Sequence, residues 1–541
     1  MSSASLGTGG ASQGAQSTTG TSRVVPDRNV VLAACLEHTL AQDLQIHRSL
    51  SPLGPTATIL RAELRRWQDF EDGLDHESSD FQFQRSMVEK ITAVGRSLLA
   101  PWRRLPPDIW SEIFLDAEPE DWDYEPSGRR TLSLAQVCFS WRKIAFEDMP
   151  YLWNVIRIDA DESPPFLYYE GIQEEIRRSK DQPLEIWFNS ITRLYQEDPY
   201  TLPWWDMTFQ LLCSQSHRWL SYNSEQSYPY MYAWRPAPSF PLLRKLAIGL
   251  LPTLEGYPVE LPLRFFSDAP SLRTVHIDSV GLPLPYPGFI ELPATWALQD
   301  LHISCSCDMS DTTPPLAVCL DAIRSCSQTL RKCSLWVVEV GILPKWSPPI
   351  DFPLLEDLTL SLVGVHLCRS MNAPSLKSLS VRGNGAPSAS PVAALLSDMI
   401  DRSSGCTYLR SLRLEFIHVD PYQLINCLWR MQGLTSLTLQ DVEVFEIPNV
   451  RLISKEVIRA LTRRRVSAGA AENHVLLPHL TDLTLHLDFG RSSVFYTGDA
   501  VFSRAVYEML RSRRKPLLWR GEQLPGLLTG SVPILLDLGP N

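Results

Sequence analysis

The sequence predicts an α/β fold: short helical pieces in front, then a solenoid whose short parallel strands line a concave face. Three observations predict it. A six-residue apolar pattern recurs nine times between residues 243 and 485. Stretches between the copies carry apolar residues at helical spacing. Residues 105–145 hold two apolar stripes at helical spacing, the first opened by a pair of prolines.

At the N-terminus, MSSASLGTGGASQGAQSTTGTS has no charge and almost no apolar residue, so residues 1–28 read as a disordered tail. Residues 29–95 are helical in pattern and strongly charged. TATILRAELRRWQDF places Ile59, Leu60, Leu64 and Trp67 along one face with charge opposite. No heptad persists long enough to decide between a coiled-coil hairpin and a solvated helical spacer.

Residues 97–158 carry LPPDIWSEIF, in which Ile109, Trp110, Ile113 and Phe114 form one helical stripe. Pro107 suits the first helical position, where its missing N–H would be unpaired anyway. An acidic loop, LDAEPEDWDYEP, follows. Leu134, Val137, Cys138, Trp141, Ile144 and Ala145 then share a face, with Ser133 as N-cap. Pro150, Leu152 and Trp153 supply a third short piece. A segment this small makes a marginal core alone, so its apolar faces call for a partner or a neighbouring domain.

Residues 180–494 hold the repeats. The copies are LRKLAI, LRTVHI, LQDLHI, LRKCSL, LEDLTL, LKSLSV, LRSLRL, LTSLTL and LTDLTL, with first residues at 243, 272, 298, 330, 355, 376, 409, 434 and 480. Most intervals lie in the twenties and low thirties, and an L-x-x-L-x-L core at that period is the leucine-rich-repeat signal. One such strand cannot bury its apolar face alone; stacked neighbours can. PLEIWF (183–188) reads as a divergent first strand. AVCLDAIRSCSQ and PVAALLSDMIDRSS read as outer helices. The long gap before the last copy holds an insertion or a degenerate repeat. Because strand neighbours alternate in direction, His276, His302, Trp336, Arg382, Arg413 and His486 point outward. That face is polar and mixed in charge, which suits a protein or peptide partner. Residues 495–541 read as a helix, AVFSRAVYEMLRSRR, and a Gly/Pro-rich end.

The net charge of −11 argues against a general nucleic-acid binder. Two basic clusters, Arg463–Arg465 and RSRRK (511–515), read as a solvated loop and a helix end, or as phosphate contacts. Cys305, Cys307, Cys319, Cys326 and Cys333 form no C-x-x-C pair and read as small buried hydrophobes in a reducing compartment. No metal or cofactor is expected. No apolar run approaches the ~18 residues that would span a bilayer, and no signal peptide is visible. The expectation is a soluble intracellular protein, cytoplasmic or nuclear. No phosphate-cradling glycine loop, H-E-x-x-H or G-x-S-x-G motif is present, so no catalysis is expected.

The stretch LLAPWRRLPPDIWSEIF…LSLAQVCFSWRKIAFEDMPYLWNVIRI resembles an F-box, in the form found in the large F-box families of mushroom-forming fungi. Leu105, Pro106, Pro107, Asp108, Ile109, Ile113 and Phe114 match the first helix. Val137, Cys138, Trp141, Arg142, Ile144 and Ala145 match the second, and Pro150, Leu152 and Trp153 the third. A helical segment in front and leucine-rich repeats behind also look like that family. Trp110 is bulkier than the usual aliphatic residue, and Phe139 stands where a basic residue commonly follows the cysteine.

The resemblance implies a partner, the small adaptor subunit of an SCF (cullin–RING) ubiquitin ligase, and through it the cullin. It implies adaptor contacts from Leu105, Pro106, Pro107, Ile109, Ile113, Phe114, Leu134, Val137, Cys138, Trp141, Leu152 and Trp153. The repeats would hold a protein substrate. A leucine-rich-repeat scaffold without a ligase role stays open at this level.

Overall fold

The computed structural model describes residues 55–72, 81–99, 105–116, 134–137, 139–159, 165–189, 202–224, 238–249, 262–280, 290–293, 295–306, 315–337, 349–383, 392–441, 452–463, 475–486, 500–519 and 522–531. These fall into two compact units.

The first unit comprises residues 1–122 and 133–148. Its helices are α1 (Pro55–Asp72), α2 (Phe81–Leu99), α3 (Pro107–Asp116) and α4 (Phe139–Lys143). Residues 134–137 are helical too, and α4 runs on into a π-helical turn at Ile144–Asp148. α1 and α2 pack on each other, close enough that a Cβ on Gly95 would overlap the Leu64 side chain. Ala57 and Leu64 are buried there, whereas Ile59 turns to solvent, so the buried stripe of α1 is narrower than its apolar spacing suggests.

The second unit comprises residues 123–132 and 149–541 and is built on one 13-stranded sheet. Its strands are β1 (Val155–Asp159), β2 (Leu184–Asn189), β3 (Trp219–Ser224), β4 (Lys245–Gly249), β5 (Thr274–Val280), β6 (Asp300–Ser306) and β7 (Lys332–Val337). They continue as β8 (Asp357–Leu362), β9 (Ser378–Arg382), β10 (Ser411–Glu415), β11 (Ser436–Gln440), β12 (Asp482–His486) and β13 (Thr529–Ser531). Strands lie side by side in chain order. Every pairing in the sheet is parallel. The chain between strands passes through α5 (Pro165–Arg178), α6 (Leu202–Cys213), α7 (Pro315–Cys326), α8 (Val392–Arg402), α9 (Pro421–Trp429), α10 (Lys455–Leu461) and α11 (Ala500–Arg514). Two short strand pairs, one parallel and one antiparallel, sit apart from the main sheet.

The nine sequence copies are the nine successive strands β4 to β12, in one register. Leu246, Val275, Leu301, Cys333, Leu358, Leu379, Leu412, Leu437 and Leu483 stack in a row. The backbone explains why the pattern recurs. In each copy from β4 to β11 the second residue's carbonyl accepts from the next copy; from Arg244 to Thr435 it takes two N–H groups, as Arg244 takes Arg273 and Thr274. The first leucine of each copy is buried one turn before the strand and joins the strand's apolar residues in the core. That core runs without a break from Ile156 to Met509 and includes the inner faces of α7 to α11. Asp420 caps α9 by accepting from the Tyr422 and Gln423 N–H groups at 3.0 Å, with Pro421 in the first turn.

β3 falls outside the leucine pattern because aromatic residues do its packing. Trp219 stacks on Tyr222 at 5.3 Å, meets Phe240 at 5.1 Å and donates from Nε1 to the Leu212 carbonyl at 3.1 Å. The long interval before the last copy holds α10, and residues 442–451 and 464–474 of it lie outside the described residues. Among the described residues no helix is long and apolar enough to cross a membrane.

Candidate functional site

Two surfaces carry the candidate residues, one in each unit. In the first unit the Pro106 carbonyl accepts from the Ile109 and Trp110 N–H groups, which sets Pro107 at the start of α3. Trp110 and Phe114 then turn inward against Trp141, with ring centroids 4.8 to 5.7 Å apart. The other half of the same stripe stays outside: Ile109 is 45% and Ile113 37% exposed, one turn apart. On the second helical piece Val137 is 56% exposed. Pro106 is exposed, and Leu105, Leu134 and Trp141 are half-buried. Cys138 lies outside the described residues, as do Ser133 and the acidic loop beyond Asp116.

Three of the expected docking residues are placed otherwise. Phe114 is buried in the aromatic trio, because its ring fills the unit's own small core. Leu152 and Trp153 belong to the sheet-bearing unit. Trp153 is buried, with the Arg178 guanidinium over its ring at 4.3 Å, and the next residue's carbonyl accepts from Glu185 N–H at 2.8 Å. The third helical piece is thus the lead-in to β1.

On the sheet, the alternation of burial puts His276, His302, Trp336, Arg382, Arg413 and His486 on the outward face. They form two groups and one outlier. His276 and His302 are cross-strand neighbours on β5 and β6, with ring centroids at 5.4 Å. Burial, then the neighbouring His276, holds the His302 imidazole below its usual range, with Asp278 and Asp300 opposing. His486 stands apart on β12 beside Gln440.

The second group is built. Arg382 at the end of β9 lies over the Trp336 ring of β7 at 5.6 Å and over the Phe416 ring at 5.3 Å. Its Nε lies 3.8 Å from one Glu415 carboxylate oxygen. Arg413 donates to the other oxygen. Glu415 follows the outward alternation of β10, yet its side chain is only 7% exposed, with both arginines paired to it. Phe416 was not singled out by any pattern. It sits in the left-handed region at φ 53° just past β10, which turns its ring towards Arg382. The turn is locked from the neighbouring strand: Gly383 donates to the Glu415 carbonyl at 2.7 Å, and a Cβ there would overlap the Phe416 carbonyl oxygen. Gly383→Ala is expected to cost about 2 kcal/mol through this backbone overlap. Urea unfolding of wild type and variant checks it, an unchanged midpoint being the contrary result.

One arginine of each basic cluster is buried, where a solvated residue was expected. Arg463 is buried and donates to the Pro478 and Pro525 carbonyls at 2.9 and 3.0 Å. Arg513 is buried and donates to the carbonyls of Leu461, Leu476 and Leu477. Both are structural cations, whereas Arg511, Arg514 and Lys515 of the second cluster are exposed as expected. Arg464 and Arg465 lie outside the described residues, as does Cys307. Cys305, Cys319, Cys326 and Cys333 are buried in the core, and burial pushes the Cys326 thiol up to about 12. Among the described residues no group of three or more His, Cys, Asp or Glu side chains is placed to hold a metal ion. No protein-family model matches the chain, and no curated protein matches it.

Proposed function

We propose that the chain is the substrate-receptor subunit of an SCF-type cullin–RING ubiquitin ligase. The helices of residues 105–148 act as the F-box that docks the adaptor. The strands from β4 to β12 act as leucine-rich repeats that hold a protein substrate. The receptor does no bond chemistry itself; it raises the effective concentration of substrate near the conjugating machinery. It works inside the cell, where adaptor and cullin reside.

One observation carries this reading. Where the sequence resembles an F-box, the first unit keeps Ile109, Ile113 and Val137 exposed while burying Trp110 and Phe114. A helical module that turned all its large apolar residues inward would have nothing to offer an adaptor. Trp110, the bulky departure from the F-box pattern, packs inside the unit and so does not alter the exposed face. Leu152 and Trp153 belong with the sheet, so the docking face proposed here rests on residues 105–137.

The test is co-purification of the full chain with the adaptor, comparing wild type with Ile109→Asp/Ile113→Asp. Both positions are exposed, so the fold is expected to survive the change. Wild type binds, and the double variant loses at least about tenfold in affinity, since two desolvated charges replace buried apolar contacts. Equal binding by both would move the adaptor contact elsewhere.

A further inference from the structure

We infer that the Trp336–Arg382–Arg413 cluster is a preformed site for one oxyanion-bearing side chain, a carboxylate or a phosphate ester, on an extended segment of the protein substrate. The inference deepens the receptor reading, on which it rests, by naming what the strand face selects.

Two guanidinium groups share one carboxylate, Glu415, so the cluster itself carries one positive charge in excess, in a chain whose net charge is −11. Glu415 is covered, whereas the Arg382 and Arg413 side chains are 49% and 55% exposed. The carboxylate therefore serves as an anchor beneath, and the arginines keep N–H groups turned to solvent. Arg382 lies over both the Trp336 and the Phe416 ring, and Phe416 is itself in a left-handed turn against Gly383. An arginine ordered before binding loses little freedom on binding, and its planar fork matches a carboxylate or phosphate. Lys245 and Lys332, elsewhere on the face, are exposed.

The register defines the ligand further. Trp336, Ser361, Arg382 and Glu415 are successive cross-strand neighbours from β7 to β10. A segment crossing the strands would place its anion at Arg382 and Arg413 and an apolar residue over the Trp336 ring.

The experiment uses the full chain and three fluorescent peptide pools with neutral, degenerate flanks and a fixed central Glu, phosphoserine or Gln. Fluorescence polarisation is read at low and high salt. The Glu or phosphoserine pool, or both, binds at least about tenfold tighter than the Gln pool, the worth of one charge-assisted hydrogen bond. Arg382→Gln and Arg413→Gln each erase that preference, and Arg382→Lys does not restore it fully. The order of the Glu and phosphoserine pools separates the two sources of the anion. Equal binding of all three pools, no binding by any, or a preference that survives both Gln variants overturns the proposal. Adaptor binding is measured on the same preparations. A lost anion preference with intact adaptor binding defeats this site alone, and the reverse defeats the receptor reading alone.

Discussion

Arg513→Ala is expected to destabilise the C-terminal end of the sheet unit by about 4 kcal/mol. The guanidinium reaches from α11 to three carbonyls: Leu461 at 2.5 Å from Nε, Leu477 at 3.0 Å from Nη1 and Leu476 at 2.5 Å from Nη2. Leu461 ends α10, and Leu476 and Leu477 lead into β12, so one side chain ties three segments. Burial, then the nearby Arg463, lowers its pKa to about 9, which leaves it charged at neutral pH. Alanine removes the donors and opens a cavity, with roughly 1–3 kcal/mol for each carbonyl left without a partner. Relief from burying a charge gives part of that back. Arg513→Lys recovers less than half, because a single ammonium cannot span three diverging acceptors. Chemical denaturation gives the magnitude, and hydrogen exchange should localise the loss to residues 452–531. An unchanged midpoint would contradict the tie.

Glu175→Gln is expected to stabilise the protein near neutral pH, by about 2 kcal/mol. Glu175 lies on α5, which packs against α6, and its carboxyl is buried. Burial pushes its pKa from 4.5 up to about 8, against a weaker pull from Arg178. A carboxyl raised in this way is unfavourable to the fold wherever the unfolded chain would ionise it. The penalty is absent below about pH 4.5, grows as pH rises and is complete above about pH 8. Near pH 7 it amounts to about 3 kcal/mol, and a buried glutamine amide keeps some cost of its own. Urea midpoints of wild type and variant across that window should therefore diverge as pH rises, with the variant above. His302 and His366, whose pKa values burial holds down, also contribute to the wild-type profile, but the difference between the two proteins isolates Glu175. Parallel profiles would mean that the carboxyl reaches water.

The strands were legible wherever each carries its own signal. L-x-x-L-x-L marks β4 to β12 because a leucine before the strand and two apolar residues within it must all reach one core. β3 escapes that pattern because Trp219 and Tyr222 fill the same space with different shapes. The first unit shows a subtler limit. Ile109, Trp110, Ile113 and Phe114 make one wide stripe in sequence, and periodicity alone cannot say which half faces inward. The aromatic trio with Trp141 decides it, and that contact is tertiary. Likewise the RSRRK run looks solvated until the chain folds three carbonyls around Arg513. Arg413 and Glu415, two residues apart on one strand face, offered a visible hint of their ion pair. Phe416 offered none, since its left-handed turn packs against Gly383, just past the preceding strand β9.

The most direct measurement is reconstitution of the full chain with purified adaptor and cullin, followed by the mass of the resulting complex. The receptor account predicts one assembly containing all three, which Ile109→Asp/Ile113→Asp prevents from forming. Adaptor bound without cullin would leave only a repeat scaffold, and no adaptor bound at all would contradict the account outright.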